Sequence, residues 1–460
     1  MPSADVVVVG AGLAGLTAAS ALADAGARVE VVARGHAATH WTPGGFDCAA
    51  LPQAPTAAAG IGELAARPGH PYAFLGDDVR AGLTFVRTIV AESGLVYRGE
   101  LEDALRAVPT AIGGTRRVGI VPIGQGSALD PWATDERLIV CGIDGFKDFW
   151  PSSIAASLAR PSVWGSADEA GHPSRVEGIS VALPGQAGRR NINALELGRA
   201  FDDAAWRREA FGCIAAAVTA TGGGPCRIAL PAVLGIVDHP AVLQDAAELL
   251  PAASFEVPLV PPSLPGLRLY LALRAAFLRR GGRLSIGEPV IRMDRDGPRV
   301  TAVVLSAAVR ERRIGAGAVV LATGGIAGGG LIGLADGRLH EPLLDLPVEA
   351  PPVDAWFVDE PQAGDGHPLE RAGLRTDIKL RPVDPMGKVV FENVAIIGSL
   401  LAGQRNVAER CGDGVAIASA WRAAKTLGAT MGRRRAAPSA AKPAEPAVRP
   451  SAETAVRVSS

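Results

Sequence analysis

Four consecutive valines, Val6–Val9, run without a polar break into Gly10-Ala11-Gly12-Leu13-Ala14-Gly15, after which Leu13, Leu16, Ala19 and Leu22 recur on one side at helical spacing. The pattern predicts a buried parallel strand, a glycine turn and a helix. No charge occurs from Val6 to Ala23, so a signal sequence or membrane anchor is the competing reading. Asp5 directly ahead of the run and the glycines inside it argue against an anchor, since each interior glycine costs about 1 kcal/mol of helix propensity relative to alanine. In the other reading Gly10 permits the tight turn, Gly12 lets backbone approach a pyrophosphate, and Gly15 lets the helix pack on the strand. The helix start adds N–H groups and a positive dipole end for the anion. Dinucleotide or flavin binding is therefore expected here, over a purely structural glycine turn.

The next apolar stretch, Arg28–Arg34, reads as a second strand. Its end carries Ala33 and Arg34 where an acidic residue usually takes the adenosine ribose hydroxyls. Glu30 comes too early in the strand for that role and is expected to be solvated. Further on, Leu267–Leu278 repeats apolar residues at helical spacing and stops at a basic turn followed by Gly281-Gly282. Short strands are expected at Arg283–Ile286, Val290–Met293, Val300–Leu305 and Val319–Leu321. The uncharged run Ile314–Ala335 is too rich in glycine for a spanning helix and reads as a strand (318–322) entering a turn. Asn393–Gly403 and Cys411–Trp421 repeat the strand, turn and helix order. A helix starting there would aim its positive end at a flavin ring, with Gly412 and Gly414 allowing close approach and Asp413 either meeting the cofactor or capping the helix.

Residues 111–264 have a different texture, richer in proline, tryptophan and mixed loops, and read as an insertion. From Arg433 onward large apolar residues are too few for a packed core, so 433–460 is expected to be a disordered tail. With 48% hydrophobic residues a large core is available, and a net charge of −1 argues against a charge-driven grip on nucleic acid. The five cysteines (48, 141, 213, 226, 411) are scattered, without a CxxC, which suits a reducing cytoplasm and offers no zinc or iron–sulfur ligand set.

The blocks VVARGHAATHWTPGGFDC, CGIDGFKDFWPSSIAASL, VPPSLPGLRLYLALRAAFLRRGG, NVAIIGSLLAG and CGDGVAIASAW, in that order over residues 5–428, resemble the B-type subunit of the anaerobic glycerol-3-phosphate dehydrogenases, within the fumarate-reductase-like flavoproteins. The resemblance implies an α/β fold. It consists of a Rossmann-like FAD/NAD(P)-binding domain of glutathione-reductase type in two parts, 1–110 and 265–432, around an inserted α+β cap or substrate domain, 111–264. It implies a flavin, FMN by the family's habit, which would explain the missing ribose carboxylate, with FAD as the alternative.

The expected cofactor contacts are the Gly10–Gly15 turn, Arg34, Thr42, Gly44 and Gly45 along the ring, Val290, the Ala322-Thr323-Gly324 turn, Gly398, and Gly412 to Val415. His40 is either a neutral histidine hydrogen-bonded beneath the cofactor or a proton-transfer group. Arg116 and Arg117, and also Arg189 and Arg190, are candidate phosphate cations, although adjacent arginines are more often a solvated surface. The implied reaction is oxidation of sn-glycerol 3-phosphate to dihydroxyacetone phosphate with electrons passed to quinone. This chain would act either as the catalytic subunit or as an electron-transfer subunit. The implied partners are a second flavoprotein subunit and an iron–sulfur, membrane-associated subunit, holding a cytoplasmic chain at the inner face of the membrane. A flavin oxidoreductase of the same group acting on an unsaturated acid or steroid is the other reading.

Overall fold

The computed structural model describes residues 3–165, 171–186, 188–306, 310–360 and 366–436. The chain begins with β1 (Ser3–Val9), α1 (Leu13–Asp24), β2 (Val29–Ala33), α2 (Ala57–Ala65) and α3 (Tyr72–Ala91). Short strands β3 (Tyr97–Arg98), β4 (Arg106–Pro109), β5 (Thr115–Val118) and β6 (Val121–Pro122) lead into an inserted unit. That unit contains β7 (Arg137–Ile143), α4 (Pro151–Leu158), β8 (Arg175–Val181), α5 (Ala194–Asp202), α6 (Ala204–Ala220), β9 (Cys226–Pro231), α7 (His239–Leu249) and β10 (Ser254–Val257). The return comprises α8 (Leu264–Arg279), β11 (Arg283–Ile286), β12 (Val290–Asp296), β13 (Arg299–Ser306) and β14 (Glu311–Leu321). After four two-residue strands, β15 (Ile332–Gly333), β16 (Leu339–His340), β17 (Val348–Glu349) and β18 (Gly373–Leu374), come β19 (Val394–Ile396) and α9 (Gly412–Ala436).

Valines 6 to 8 are wholly buried because β1 lies in the middle of a seven-stranded sheet ordered β11-β2-β1-β14-β13-β12, with β19 added beside β14. Both faces of this central parallel strand are buried, so it is apolar throughout rather than alternating. The β14 strand extends well beyond the residues expected from the apolar run alone. It pairs antiparallel with β13 over 311–315 and parallel with β1 over 315–321, and β19 joins it at 319–321. Where β13 and β19 fork apart, the Asn393 side chain replaces the missing ladder. Its Nδ2 donates to Val300 O (2.7 Å) and Gly317 O (3.0 Å), and its Oδ1 accepts from Val300 N–H (2.9 Å).

Glu30 departs from expectation, because it is 3% exposed rather than solvated. With β11 on the outer side of β2, Glu30 lies within the sheet and is neutralised by Arg312 (2.7 Å) and Arg283 (3.1 Å). A buried carboxylate requires such partners. The inserted region is also different from the expected α+β cap. Its four strands are all parallel in the order β8-β7-β9-β10, a doubly wound 2-1-3-4 arrangement. Its own hydrophobic core runs from Val108 to Leu264. The run Arg433–Arg435, expected to open the tail, continues α9, while 437–460 lie outside the described residues.

A buried ion pair joins the two lobes. Arg268 of α8 donates from Nη1 and Nη2 to the Glu256 carboxylate of β10 (2.7 and 2.9 Å) and from Nε to Gly235 O (2.7 Å). His239 Nδ1–H donates to Leu234 O (2.6 Å), so its Nε2 presents a lone pair to Arg268 Nη1 at 3.4 Å. Burial, with Arg268 adding to it, lowers the His239 imidazole from 6.5 to about 4. Burial pushes the Glu256 carboxyl up, but Arg268 and His239 outweigh it and hold it below its ordinary value.

Removing one partner strands the other charge in the interior, so Glu256→Gln is expected to lower the unfolding free energy by roughly 3–5 kcal/mol, read from the urea midpoint. The folded state keeps His239 neutral in a window where the unfolded chain takes up a proton. Stability should therefore fall as pH drops from 6.5 to about 4, and His239→Gln should remove that part of the slope.

Candidate flavin site

The glycine turn after β1 is built by backbone packing. Gly10 has φ +118° and lies so close to Ala322 O that a Cβ would collide with it, and a Cβ on Gly15 would meet Gly10 O. Gly12 faces the other way, where a Cβ would come within 3.2 Å of the Ala37 methyl across the crevice. Two of the three glycines thus serve strand–helix packing, and the third lets the 37–39 segment approach closely. Thr39 Oγ1 accepts the Leu13 N–H at 3.0 Å, which takes one of the α1 amides expected to meet phosphate. Ala11 is buried under the turn, and the methyl of Ala14 lies 3.1 Å from the Cβ position of Gly398, a residue with φ +70°. The Thr323-Gly324 turn continues from β14. Arg34 is exposed and borders the same glycine loop, its Nη2 3.6 Å from the Cβ position of Gly329. Gly287 N–H donates to Ala33 O (2.9 Å), which brings the start of β12 at Val290 to this end of the sheet.

Residues 39–47 form the second wall. Their carbonyls are held from several directions: Ser263 Oγ–H to Thr42 O (2.6 Å), Gln125 Nε2–H to Pro43 O (2.8 Å) and Tyr97 O–H to Gly44 O (2.7 Å). Gly44 and Gly45 are buried, Gly44 against Pro265 and Gly45 against Ile120 O. His40 Nδ1–H donates to Ala37 O (3.2 Å), and its ring lies 4.1 Å from that of Tyr270 and 4.6 Å from that of His36. Burial lowers the imidazole pKa, and Nε2 is buried with no partner among the described residues. Trp41 stands 59% exposed at the rim.

The start of α9 closes the third side, and here the glycines do something other than expected. A Cβ on Gly414 would collide with the Tyr72 hydroxyl and Cys48, so this glycine admits the 47–48 backbone and not a cofactor. Gly414 N–H donates to Asp47 O (3.1 Å), while Asp47 N–H donates to Asp413 Oδ2 (3.0 Å). Gly412 faces Asn406, and Val415 is buried beneath.

Two expected phosphate cations are largely committed elsewhere. Arg117 donates from Nη1 to Leu51 O and Pro52 O (2.8 Å each) and from Nη2 to Ala54 O (3.0 Å), pinning the β4–β5 hairpin to the first lobe. Arg116 donates to Asp47 Oδ1 at 2.6 Å. On the insertion, Arg189 binds Gln186 Oε1 (2.8 Å) and ion-pairs with Glu196, and Arg190 is exposed. The cation that sequence reading missed is Arg410, with φ +46° and a single 3.3 Å bond to Arg117 O. Burial lowers its pKa, Asp47 opposes, and Arg116 and Arg117 add to the lowering. Burial, then Asp47, raises the Asp413 carboxyl from 3.8 to about 7. Nothing in the chain's local pattern marks Arg410 or Asp47, which meet only through the fold.

Besides His40 Nε2, three buried polar atoms of this region lack a partner among the described residues: Thr323 Oγ1, Gln404 Oε1 and Asn406 Oδ1. Buried polar atoms are normally satisfied, so these fit a polar, elongated ligand such as a flavin nucleotide. Behind them His70, Glu409 and Cys411 converge, but His70 Nδ1 accepts the Tyr72 N–H (3.1 Å), leaving the proton on Nε2 toward Glu409 (3.3 Å). Cys411 Sγ in turn donates to Glu409 Oε2 (3.6 Å).

A glycine turn and two helix starts meeting at the carboxyl end of a parallel sheet are the arrangement in which nucleotide cofactors are bound, and the class of protein it fits is a nucleotide-binding flavoprotein. The chain belongs to the FAD binding domain family, whose pattern matches residues 5–415, and its cofactor class is a flavin. It is 33% identical over 445 residues, 91% of this chain and 96% of the relative, to the probable B-type subunit of the anaerobic glycerol-3-phosphate dehydrogenase of Halobacterium salinarum. It is 29% identical over 454 residues, 94% of this chain and 98% of the relative, to the corresponding B-type subunit of the anaerobic glycerol-3-phosphate dehydrogenase of Vibrio cholerae serotype O1. Among solved structures, the 3-ketosteroid delta1-dehydrogenase of Sterolibacterium denitrificans aligns at 14% identity and a TM-score of 0.44, covering 94% of this chain and 100% of that one. A likeness at that score carries no argument about substrate.

Gly12→Asp would place bulk and negative charge against the phosphate path. The expected outcome is a folded chain, by circular dichroism, that purifies without the flavin absorbance of the wild type.

Proposed function

We propose that this chain is a flavin-dependent glycerol-3-phosphate dehydrogenase subunit, oxidising sn-glycerol 3-phosphate to dihydroxyacetone phosphate. The observation that carries this reading is Arg410, a part-buried guanidinium just before the start of α9 that makes no carboxylate hydrogen bond among the described residues. Kinship over nine-tenths of the chain with proteins bearing that name supports it. FAD is the proposed flavin, following the family's description; nothing favours the FMN that the resemblance implied.

In this reading the pyrophosphate lies over Gly12, Leu13 and Ala14, facing Thr323 and Gly324, and Arg34 and Val290 border the adenosine end. The ring follows Thr42, Gly44 and Gly45, with Gly398, Gly412 and Val415 at its far edge and His40 beneath. When bound, the flavin supplies a hydride acceptor. Arg410 holds the substrate phosphate, and the lobe at 111–264 covers the substrate and excludes water. Asn406 Oδ1 and Gln404 Oε1, buried without a partner among the described residues, are assigned to the cofactor as acceptors. The electrons are passed through partner subunits, one of them an iron–sulfur, membrane-associated chain, to quinone. No helix among the described residues is long and apolar enough to cross a membrane, and attachment at the inner face through those partners is part of the proposal.

The test is reduction of an artificial dye by glycerol 3-phosphate, with the purified chain alone and with its partners. A charge-assisted hydrogen bond contributes roughly 1.5–3 kcal/mol, so Arg410→Ala should raise KM by about 10- to 100-fold with the flavin retained. Absence of substrate-dependent reduction by the complete assembly would overturn the reading.

A further inference from the structure

Alcohol oxidation needs a group that takes the hydroxyl proton, and His40 is not the best placed for it, being directed under the loop against Tyr270 and His36. We infer that Asp413, the second residue of α9, is the base that accepts this proton. The inference rests on the function proposed above and deepens it.

The geometry around Asp413 is unusual for a carboxyl. Oδ2 takes one hydrogen bond, from Asp47 N–H at 3.0 Å, and Oδ1 has no partner among the described residues. The nearby cation that would be its natural counter-ion, Arg116, is spent on Asp47 at 2.6 Å. The groups facing it are Asp47 and Cys48 from the loop, Tyr72 from α3, Tyr97 from β3 and Arg116 from β5. The two tyrosine hydroxyls are turned away from it: Tyr97 donates to Gly44 O (2.7 Å), and Tyr72 donates to Cys48 O and to Cys411 O (3.2 Å). Asp413 is thus a half-buried carboxyl beside a second, already paired carboxylate, supported by a single amide. Desolvation and like charge both raise the proton affinity of such a group toward neutrality, the range in which a general base works best.

Asp47 links this carboxyl to the cation assigned to the substrate phosphate, since it donates its N–H to Asp413 and lies in the field of Arg410. In the proposal, a substrate whose phosphate is held by Arg410 presents its carbinol to Oδ1 of Asp413. In the step, the O–H bond of the alcohol breaks and its proton forms a new O–H bond on Asp413. The C–H bond breaks with its electron pair, and the hydride passes to the flavin, leaving a ketone. Two electrons leave the substrate with the hydride, and the proton on Asp413 is later lost to solvent.

Asp413→Asn keeps size and hydrogen bonding but cannot take the proton. The loaded variant should retain its flavin and be reduced by light or dithionite as the wild type is. Bleaching of its flavin by glycerol 3-phosphate should slow by about 100- to 10,000-fold. The wild-type bleaching rate should fall as pH drops through neutrality, and the variant's should not follow that profile. A second readout needs no substrate: a pH titration of the bound flavin's absorbance should show a step near neutral pH that Asp413→Asn removes. Asp47→Asn, which deletes the like charge and frees Arg116, should move that step to lower pH. A variant that bleaches within about threefold of wild type, or a step that survives in Asp413→Asn, overturns the assignment. If the substrate-free step behaves as expected but glycerol 3-phosphate bleaches no form of the assembled protein, the substrate reading has failed and the base assignment falls with it.

Discussion

Residues 39–47 have only one short helical turn of their own, yet most of them are buried or half-buried between the two lobes. Buried carbonyls without a ladder must find donors elsewhere, and the rest of the site depends on where those donors come from. Ser263 at the head of α8, Gln125 before the second sheet, and Tyr97 in β3 each supply one. Phe46 N–H is received by Ile120 O at 3.0 Å, and Arg116 reaches across to Asp47. The proposed ring platform therefore exists only when both lobes are folded and docked. Gly266 makes the docking close: a Cβ there would collide with Thr39 O.

Charge burial follows the same interface. Arg268–Glu256 and Arg116–Asp47 each cross from one lobe to the other, and both are costly to desolvate. Their value lies in register more than in net stability, because a guanidinium fork accepts a carboxylate in few orientations. Arg268 with Glu256 fixes the angle between α8 and β10, and Arg116 fixes the β5 hairpin against the loop. Asp413 and Arg410 are what this arrangement leaves over: among the described residues neither makes an ion pair of its own, and only Cys411 and Gly412 separate them. Leaving such groups unpaired lowers stability and is typical of sites that bind or transfer charge.

The second sheet shows why texture is a poor guide to topology. Proline, tryptophan and long loops between 111 and 264 hide four short parallel strands, because the connections, and not the strands, dominate the composition. Cys226–Pro231 and Arg137–Ile143 are apolar runs short enough to be read as either strand or helix. Only pairing distinguishes them.

What the sequence by itself determined is local and periodic. Val6–Val9, the glycine turn and the apolar side of α1 specify a strand, turn and helix wherever they occur, because buried β-branched runs and glycine at positive φ have few alternatives. The same holds for α8 and for the strand and helix near the end, and these motifs, with the family blocks, sufficed to place the chain among FAD-binding proteins. The tertiary structure decided everything that depends on partners distant in the chain. It buried Glu30 between Arg283 and Arg312, spent Arg117 on carbonyls, turned Gly414 toward Tyr72, and brought Asp47, Arg116, Arg410 and Asp413 together. Whether a charged side chain is solvent-facing, structural or available to a substrate is set by the dielectric and the counter-charges around it. Those are properties of the packed interior and have no signature in local spacing.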